Sequence, residues 1–127
     1  MDCHLPAIRY CYLAFLLLCP GIANASISPN DIDDLKASTG FTTWQGIEPD
    51  KWATLWLIKR YIRPDAYFML VPPNSTLAAD AYAVGVPESS IRRESRASMF
   101  RRLKDAMALD SAELNYLDAL IHDVEVN

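Results

Sequence analysis

Cysteine is missing from every position after Cys19, and histidine is almost missing from the whole sequence, with only His4 and His122. All three cysteines, Cys3, Cys11 and Cys19, lie in the first 25 residues. A mature chain starting beyond them has no disulfide, no thiolate metal site and no cysteine nucleophile. With His4 in the same leading stretch, His122 stands alone. That excludes a serine triad of the usual kind and a zinc site built on several histidines. Lysine and arginine also stop early: past Lys104 there are Asp105, Asp110, Glu113, Asp118, Asp123 and Glu125 but no cation. The net charge is −4 and the pI about 5.0. No aromatic residues interleave with the arginines, so nucleic acid is not an expected partner.

The leading stretch is itself informative. Arg9 precedes an apolar and aromatic run from Tyr10 to Cys19, Pro20-Gly21 breaks it, and Ala23-Asn24-Ala25 is a small-x-small cleavage signal. This pattern predicts a secretory signal peptide over residues 1–25, cut after Ala25. The apolar core has about ten residues, half of what a bilayer span needs, so no stable membrane anchor is expected. A periplasmic or secreted protein of about 100 residues would remain, enough for one core held by packing. Residues 26–40, acidic and turn-rich through Pro29, Asn30, Asp31, Asp33 and Asp34, read as a loose N-terminal arm with at most a short helical turn.

From Pro49 to Pro72 the chain reads as a helix running into a buried strand. Pro49 and Asp50 are start signals, and Pro64 forbids continuation. At 100° per residue, Trp52, Ala53, Leu55, Trp56, Leu57, Ile58, Tyr61 and Ile62 surround the axis, which predicts cover on two sides. Lys59, Arg60 and Arg63 in the last turn complement the helix dipole or form an anion-facing patch. Ala66 to Val71 is a short apolar run closed by Pro72-Pro73, the pattern of a central strand.

The other elements complete an α/β fold. Phe41 to Trp44 is a first strand; with the helix and the strand at 66–71 it makes a βαβ-like unit with a parallel pair. Leu77 to Tyr82 is a turn or connector, and segments 83–86 and 91–93 are candidate edge strands of a small mixed sheet. Two C-terminal amphipathic helices follow. Ser98 to Leu109 gathers Met99, Phe100, Leu103 and Met107 in one arc. Asp110 with Glu113 has capping-box spacing and opens a last helix buried through Leu114, Leu117, Leu120, Ile121 and Val124. The basic stretch 92–104 and the acidic one after it either neutralise each other side by side or leave the arginines to gather small anions.

Three blocks in order give the chain a family likeness. They are Glu48-Pro49-Asp50-Lys51-Trp52-Ala53-Thr54-Leu55-Trp56-Leu57-Ile58-Lys59-Arg60-Tyr61-Ile62 with Pro64-Asp65-Ala66 and Phe68 to Pro72; Ile91-Arg92-Arg93 with Ser98-Met99-Phe100; and Ile121-His122-Asp123-Val124-Glu125. Over roughly residues 41–127 the sequence resembles the bacterial chromate-resistance domain, the C-terminal part of ChrB-type proteins, in its exported single-domain version. Family members often carry an acidic residue after the middle-block phenylalanine, with further His or Cys nearby; here Arg101 follows Phe100 and those residues are absent.

The resemblance implies an exported accessory protein of chromate resistance that binds or senses an oxyanion. Chromate is a sulfate-like tetrahedral dianion, which guanidinium forks and hydroxyls suit. Arg92, Arg93, Arg96 and Ser98 are the local supply, with Lys59 and Arg60 as additions. Strand alternation sends Arg92 and Arg93 to opposite faces. Arg93 lies nearer the helix starting at Ser98, whose free backbone N–H groups would add to binding, so Arg93 with Ser98 is the expected anion contact and Arg96 secondary. Arg101 is expected on the outer face of that helix. A second reading is a periplasmic metal-dependent hydrolase using His122, Asp123 and Glu125 with Asp50. It rests on Asp118, His122 and Glu125 falling within about 60° of arc, taken as opposite the leucines, which suits a divalent metal. A third is a module presenting a basic helix to a partner. No cofactor is otherwise implied.

The leader gives the first testable expectation. N-terminal sequencing of the extracytoplasmic protein should begin at Ser26, and retention of residues 1–25 in that protein would contradict export by cleavage.

Overall fold

The computed structural model describes residues 26–126, so the predicted signal peptide lies outside the described residues. The described chain opens with a helix, α1 (Pro29–Ala37), where the sequence suggests a loose arm. Ser28 caps it: its Oγ accepts from the Asp31 N–H at 3.2 Å while the Asp31 carboxylate accepts from the Ser28 N–H at 3.3 Å. Pro29 at the first helical position costs nothing there, because its N–H would have no partner. The helix is held because Ile27, Ile32 and Leu35 are buried in the common core, and Leu35 is fully covered. Asp31 also accepts from Ser90 Oγ at 2.8 Å, tying α1 to the loop before the third helix. These hydroxyls hold the Asp31 carboxyl below the usual carboxylate range.

Strand β1 (Gly40–Trp44) follows, then α2 (Pro49–Leu57), which widens into a π-helical stretch (Ile58–Ile62), then β2 (Tyr67–Val71). The β1–β2 pair is parallel, with Gly40 opposite Tyr67 and Trp44 opposite Val71, as the βαβ unit predicts. A two-residue strand β3 (Tyr82–Ala83) pairs parallel with the other side of β1, giving the order β2-β1-β3. Phe41, Thr42 and Thr43 on the central strand are all buried, because neighbours cover both faces. The Phe41 ring lies 5.8 Å from Phe68 and 5.9 Å from Tyr82, joining the three strands on one face. After β3, Val84 bridges to Ile91, where the sequence suggests edge strands. Gly85 turns between them at φ +70°, a conformation side chains disfavour.

Helices α3 (Met99–Ala106) and α4 (Ala112–Glu125) complete the α/β fold. Ser98 caps α3 through the Arg101 N–H at 3.1 Å. The cap of α4 is Ser111, accepting from the Leu114 N–H at 3.2 Å, and not Asp110, which instead accepts from the Asn115 side chain. A hydroxyl one residue closer to the helix reaches the third N–H directly, and Asp110 is left to brace the first turn.

Two burial expectations are corrected. Trp52 and Trp56 are 47% and 46% exposed, so α2 is covered on one side only. Its buried side carries Asp50, Thr54, Leu55, Leu57 and Ile58 and packs against α3 and α4. A helical wheel scores tryptophan as apolar, but its size and its N–H let it stand half-wet; Trp52 Nε1 donates to the Gly46 carbonyl at 2.9 Å. On α4, Leu114 and Ile121 are buried as expected, but Leu120 is 45% and Val124 69% exposed. The helix is rotated so that Asp118 faces inward between the two buried apolar residues, drawn there by the basic face of α3. Two of the cations after α2 hold carbonyls of neighbouring segments: Lys59 Nζ donates to the Ala66 carbonyl at 2.7 Å, and Arg63 Nη1 to the Lys36 carbonyl at 3.1 Å.

Because Leu35 and Leu57 are fully covered, Leu35→Ala and Leu57→Ala should each lower unfolding stability by about 2–5 kcal/mol in urea titration. Trp56→Ala, at a half-exposed position, should cost clearly less than either. An α1 that frays independently would leave Leu35→Ala silent.

Candidate functional site

The start of α2, the start of α3 and the end of α4 meet at Asp50. Its side chain is buried, with Oδ2 accepting from the Met99 N–H at 2.8 Å and Oδ1 from the Phe100 N–H at 2.9 Å. These are the two leading N–H groups of α3, which the helix itself cannot satisfy. The free N–H groups expected to greet an anion there are thus committed to a carboxylate from another helix, and the Ser98 hydroxyl is committed to the cap.

Glu125 closes the other side of Asp50. Its Oε1 accepts from the Asp50 N–H at 3.5 Å and its Oε2 pairs with Arg93 Nη1 at 3.0 Å. Lys51 is buried beside them, donating to the Trp44 carbonyl at 3.0 Å and pairing with Glu48 at 2.8 Å. Glu48, Asp50, Lys51, Arg93 and Glu125 line a cavity of about 240 Å³. Three carboxylates face two cations. Burial pushes the Asp50 carboxyl above its ordinary value, against the two backbone N–H bonds and Arg93, and the Glu125 charge adds to the rise. Desolvation is the largest influence here; the bonds offset it in part.

A second cluster forms where α3 faces α4. Arg101 Nε donates to both Asp118 oxygens, at 2.9 and 3.1 Å, and its Nη1 lies 3.1 Å from His122 Nδ1. A guanidinium has no acceptor, so Nδ1 accepts and the ring proton sits on Nε2. Arg101 is therefore not on an outer face, contrary to expectation; Asp118 and His122, four apart on α4, draw it inward. Lys104, also buried, pairs with Asp105 at 3.0 Å and lies 3.9 Å from Asp118. The basic and acidic helices do neutralise each other along this seam.

On the far side of α3 a cavity of about 450 Å³ is lined by Ser26, Arg96, Arg101, Arg102 and Asp105 among others. Arg96 is exposed and has no partner among the described residues. Arg102 donates to the Arg92 carbonyl and lies 3.9 Å from Glu94. Arg92 itself donates to the Pro87 and Ser89 carbonyls at 3.1 and 3.2 Å and pairs with Glu94 at 3.3 Å.

The candidate residues are thus divided. Arg92 and Arg93 diverge, although neither lies in a strand; Arg93 joins Glu125, while Arg96 opens on the arginine cavity. Asp50 and Glu125 come together, but His122 turns to Arg101 and Asp123 stays exposed on the surface of α4. Among the described residues no three His, Cys, Asp or Glu side chains converge as a metal ion needs. Sequence reasoning missed Lys51 and Arg102 and misplaced Arg101. The i,i+4 pair Asp118 and His122 facing a basic helix was the available signal for Arg101.

The sequence profile described as ChrB, C-terminal domain, matches residues 41–127. The chain belongs to that family, and with it to a group related to chromate resistance. No curated protein and no solved structure matches it.

Asp50 generates a stability prediction with a definite sign. Asp50→Ala strands two buried N–H groups and should cost about 1–3 kcal/mol for each. A carboxyl whose folded pKa is raised holds its proton in the native state above 3.8, where the unfolded chain releases it. Its contribution to stability is therefore greatest at acid pH and falls as pH rises through the raised value. Urea titrations across that range should show wild type losing stability relative to Asp50→Asn as pH rises. A constant difference between the two would contradict the assignment.

Proposed function

We propose, with family membership as the premise, that this protein is an exported accessory protein of chromate resistance that binds a small tetrahedral oxyanion in the arginine cavity beside α3. The observation that carries the reading is Arg96, uncommitted to any described residue, at a cavity also lined by Arg101 and Arg102, with Asp105 the one carboxylate among the described lining residues. Guanidinium groups match the geometry of a tetrahedral dianion through paired N–H donors. The rival cavity at Asp50 carries three carboxylates against two cations and would repel the same ligand. Cleavage after Ala25 would free the α-amino group of Ser26, which lines the arginine cavity, and so add a further positive charge there. This reading moves the anion site from Arg93 with Ser98 to Arg96 with its neighbours on α3. The hydrolase alternative draws less support, because His122 and Glu125 are engaged by different arginines.

Thermal unfolding in sulfate or chromate, against chloride of equal ionic strength, tests the proposal. Binding to the native state alone raises stability by about 2.7 kcal/mol when ligand is at a hundred times its Kd. The melting temperature should rise with either oxyanion, Arg96→Ala should abolish the rise, and Arg93→Ala should keep it. Loss of the rise in Arg93→Ala with retention in Arg96→Ala would return the site to the Asp50 side of α3. Stabilisation by divalent cations in place of oxyanions would favour the hydrolase.

A further inference from the structure

Two rows of side chains stand largely outside the core and outside the proposed anion site. On α2, Trp52 and Trp56 are nearly half exposed and, with Leu55, Phe68, Lys59 and Arg60, line an apolar cavity of about 450 Å³. On α4, Tyr116, Leu120 and Val124 are 69%, 45% and 69% exposed. The spacing of four recurs: residues 52 and 56 on α2, with Arg60 beyond them in the π-helical stretch, and 116, 120 and 124 on α4. Rows four residues apart on an α-helix form ridges, roughly 12 Å long over the eight residues of the α4 row, and such ridges pack into one another's grooves.

Their charges are complementary. The α2 row ends in Lys59 and Arg60, and past Glu48 no carboxylate is exposed on that helix. The α4 row begins beside exposed Glu113, and no lysine or arginine follows Lys104. Laid antiparallel, Glu113 meets Arg60, the leucine and tyrosine enter the tryptophan-lined cavity, and the helix dipoles oppose favourably. A large aromatic pair flanked by cations suits an apolar helix with an acidic border, and this chain carries such a helix on its own surface.

We infer that the α2 cavity is a docking site for α4 of a second copy of this chain. The contact joins two different surfaces, so it either repeats reciprocally in a closed dimer or propagates from copy to copy. It is independent of whether an oxyanion binds beside α3.

Sedimentation velocity of the mature chain over a wide concentration range tests the inference. Mass should grow with concentration and fall with added salt. Arg60→Glu and Leu120→Asp, both at exposed positions, should each move the association midpoint at least about tenfold higher in concentration, the effect of losing about 1.4 kcal/mol. Mixing those two variants should produce a 1:1 heterodimer, since one retains a sound α4 and the other a sound α2. Adding Glu113→Arg to Arg60→Glu should restore association. A wild type that stays monomeric throughout would overturn the inference. So would variants that associate like wild type, or a mixture that forms no heterodimer.

Discussion

The carboxylate of Asp50 on the first two N–H groups of α3 is the interaction from which the rest of this molecule is arranged. It belongs to the second residue of α2, yet it completes the hydrogen bonding of a helix that begins 49 residues later. The pairing fixes where α3 starts relative to α2. With Ser98 supplying the conventional cap, the leading turn of α3 is saturated by protein groups. Burial makes the charge on Asp50 costly, as its raised pKa records, and the cost is tolerated because removing the carboxylate would leave two buried donors without acceptors.

Placing α3 in this way divides the charged residues of the chain between its two sides. Toward α2 lie Asp50, Glu48 and Glu125 with Lys51 and Arg93, an acidic cavity closed by ion pairs. Away from it lie Arg96, Arg101 and Arg102, with a single carboxylate among the described residues of the cavity wall. The seam between α3 and α4 absorbs Arg101 and Lys104 into Asp118 and His122. Segregation of sign is what makes one side fit for an anion and the other unfit, and it depends on helix placement far more than on the total charge of −4.

The exposed aromatic face of α2 and the exposed apolar row of α4 follow from the same packing. Once α2 gives its Asp50–Leu57 side to α3 and α4, Trp52 and Trp56 are left nearly half exposed. Once Asp118 is drawn inward to Arg101, the turn of α4 that results pushes Leu120 and Val124 outward. One ion pair therefore decides which leucines are wet. Contiguous apolar surface of this kind marks interaction sites more often than chance exposure.

Local physics made much of the fold legible in the sequence. The apolar run after Pro64-Asp65, the β-branched Phe41-Thr42-Thr43-Trp44 and the start signals at Pro49 and Ser98 determined a βαβ unit and the helix that follows, because strand and helix periods are written in nearby residues. The order of three motif blocks determined the family. Burial and partnership were another matter. That Leu35 anchors a real helix, that α2 shows its tryptophans, that Asp118 lies inside and Val124 outside, and that Asp50 caps α3 were decided only by the tertiary structure. Each depends on which group from a distant part of the chain supplies the missing contact or hydrogen bond, and a helix wheel contains no information about its neighbours. The candidate site divided for the same reason: His122 and Glu125 are three residues apart in sequence, but Arg101 on α3 takes one and Arg93, ahead of α3, takes the other.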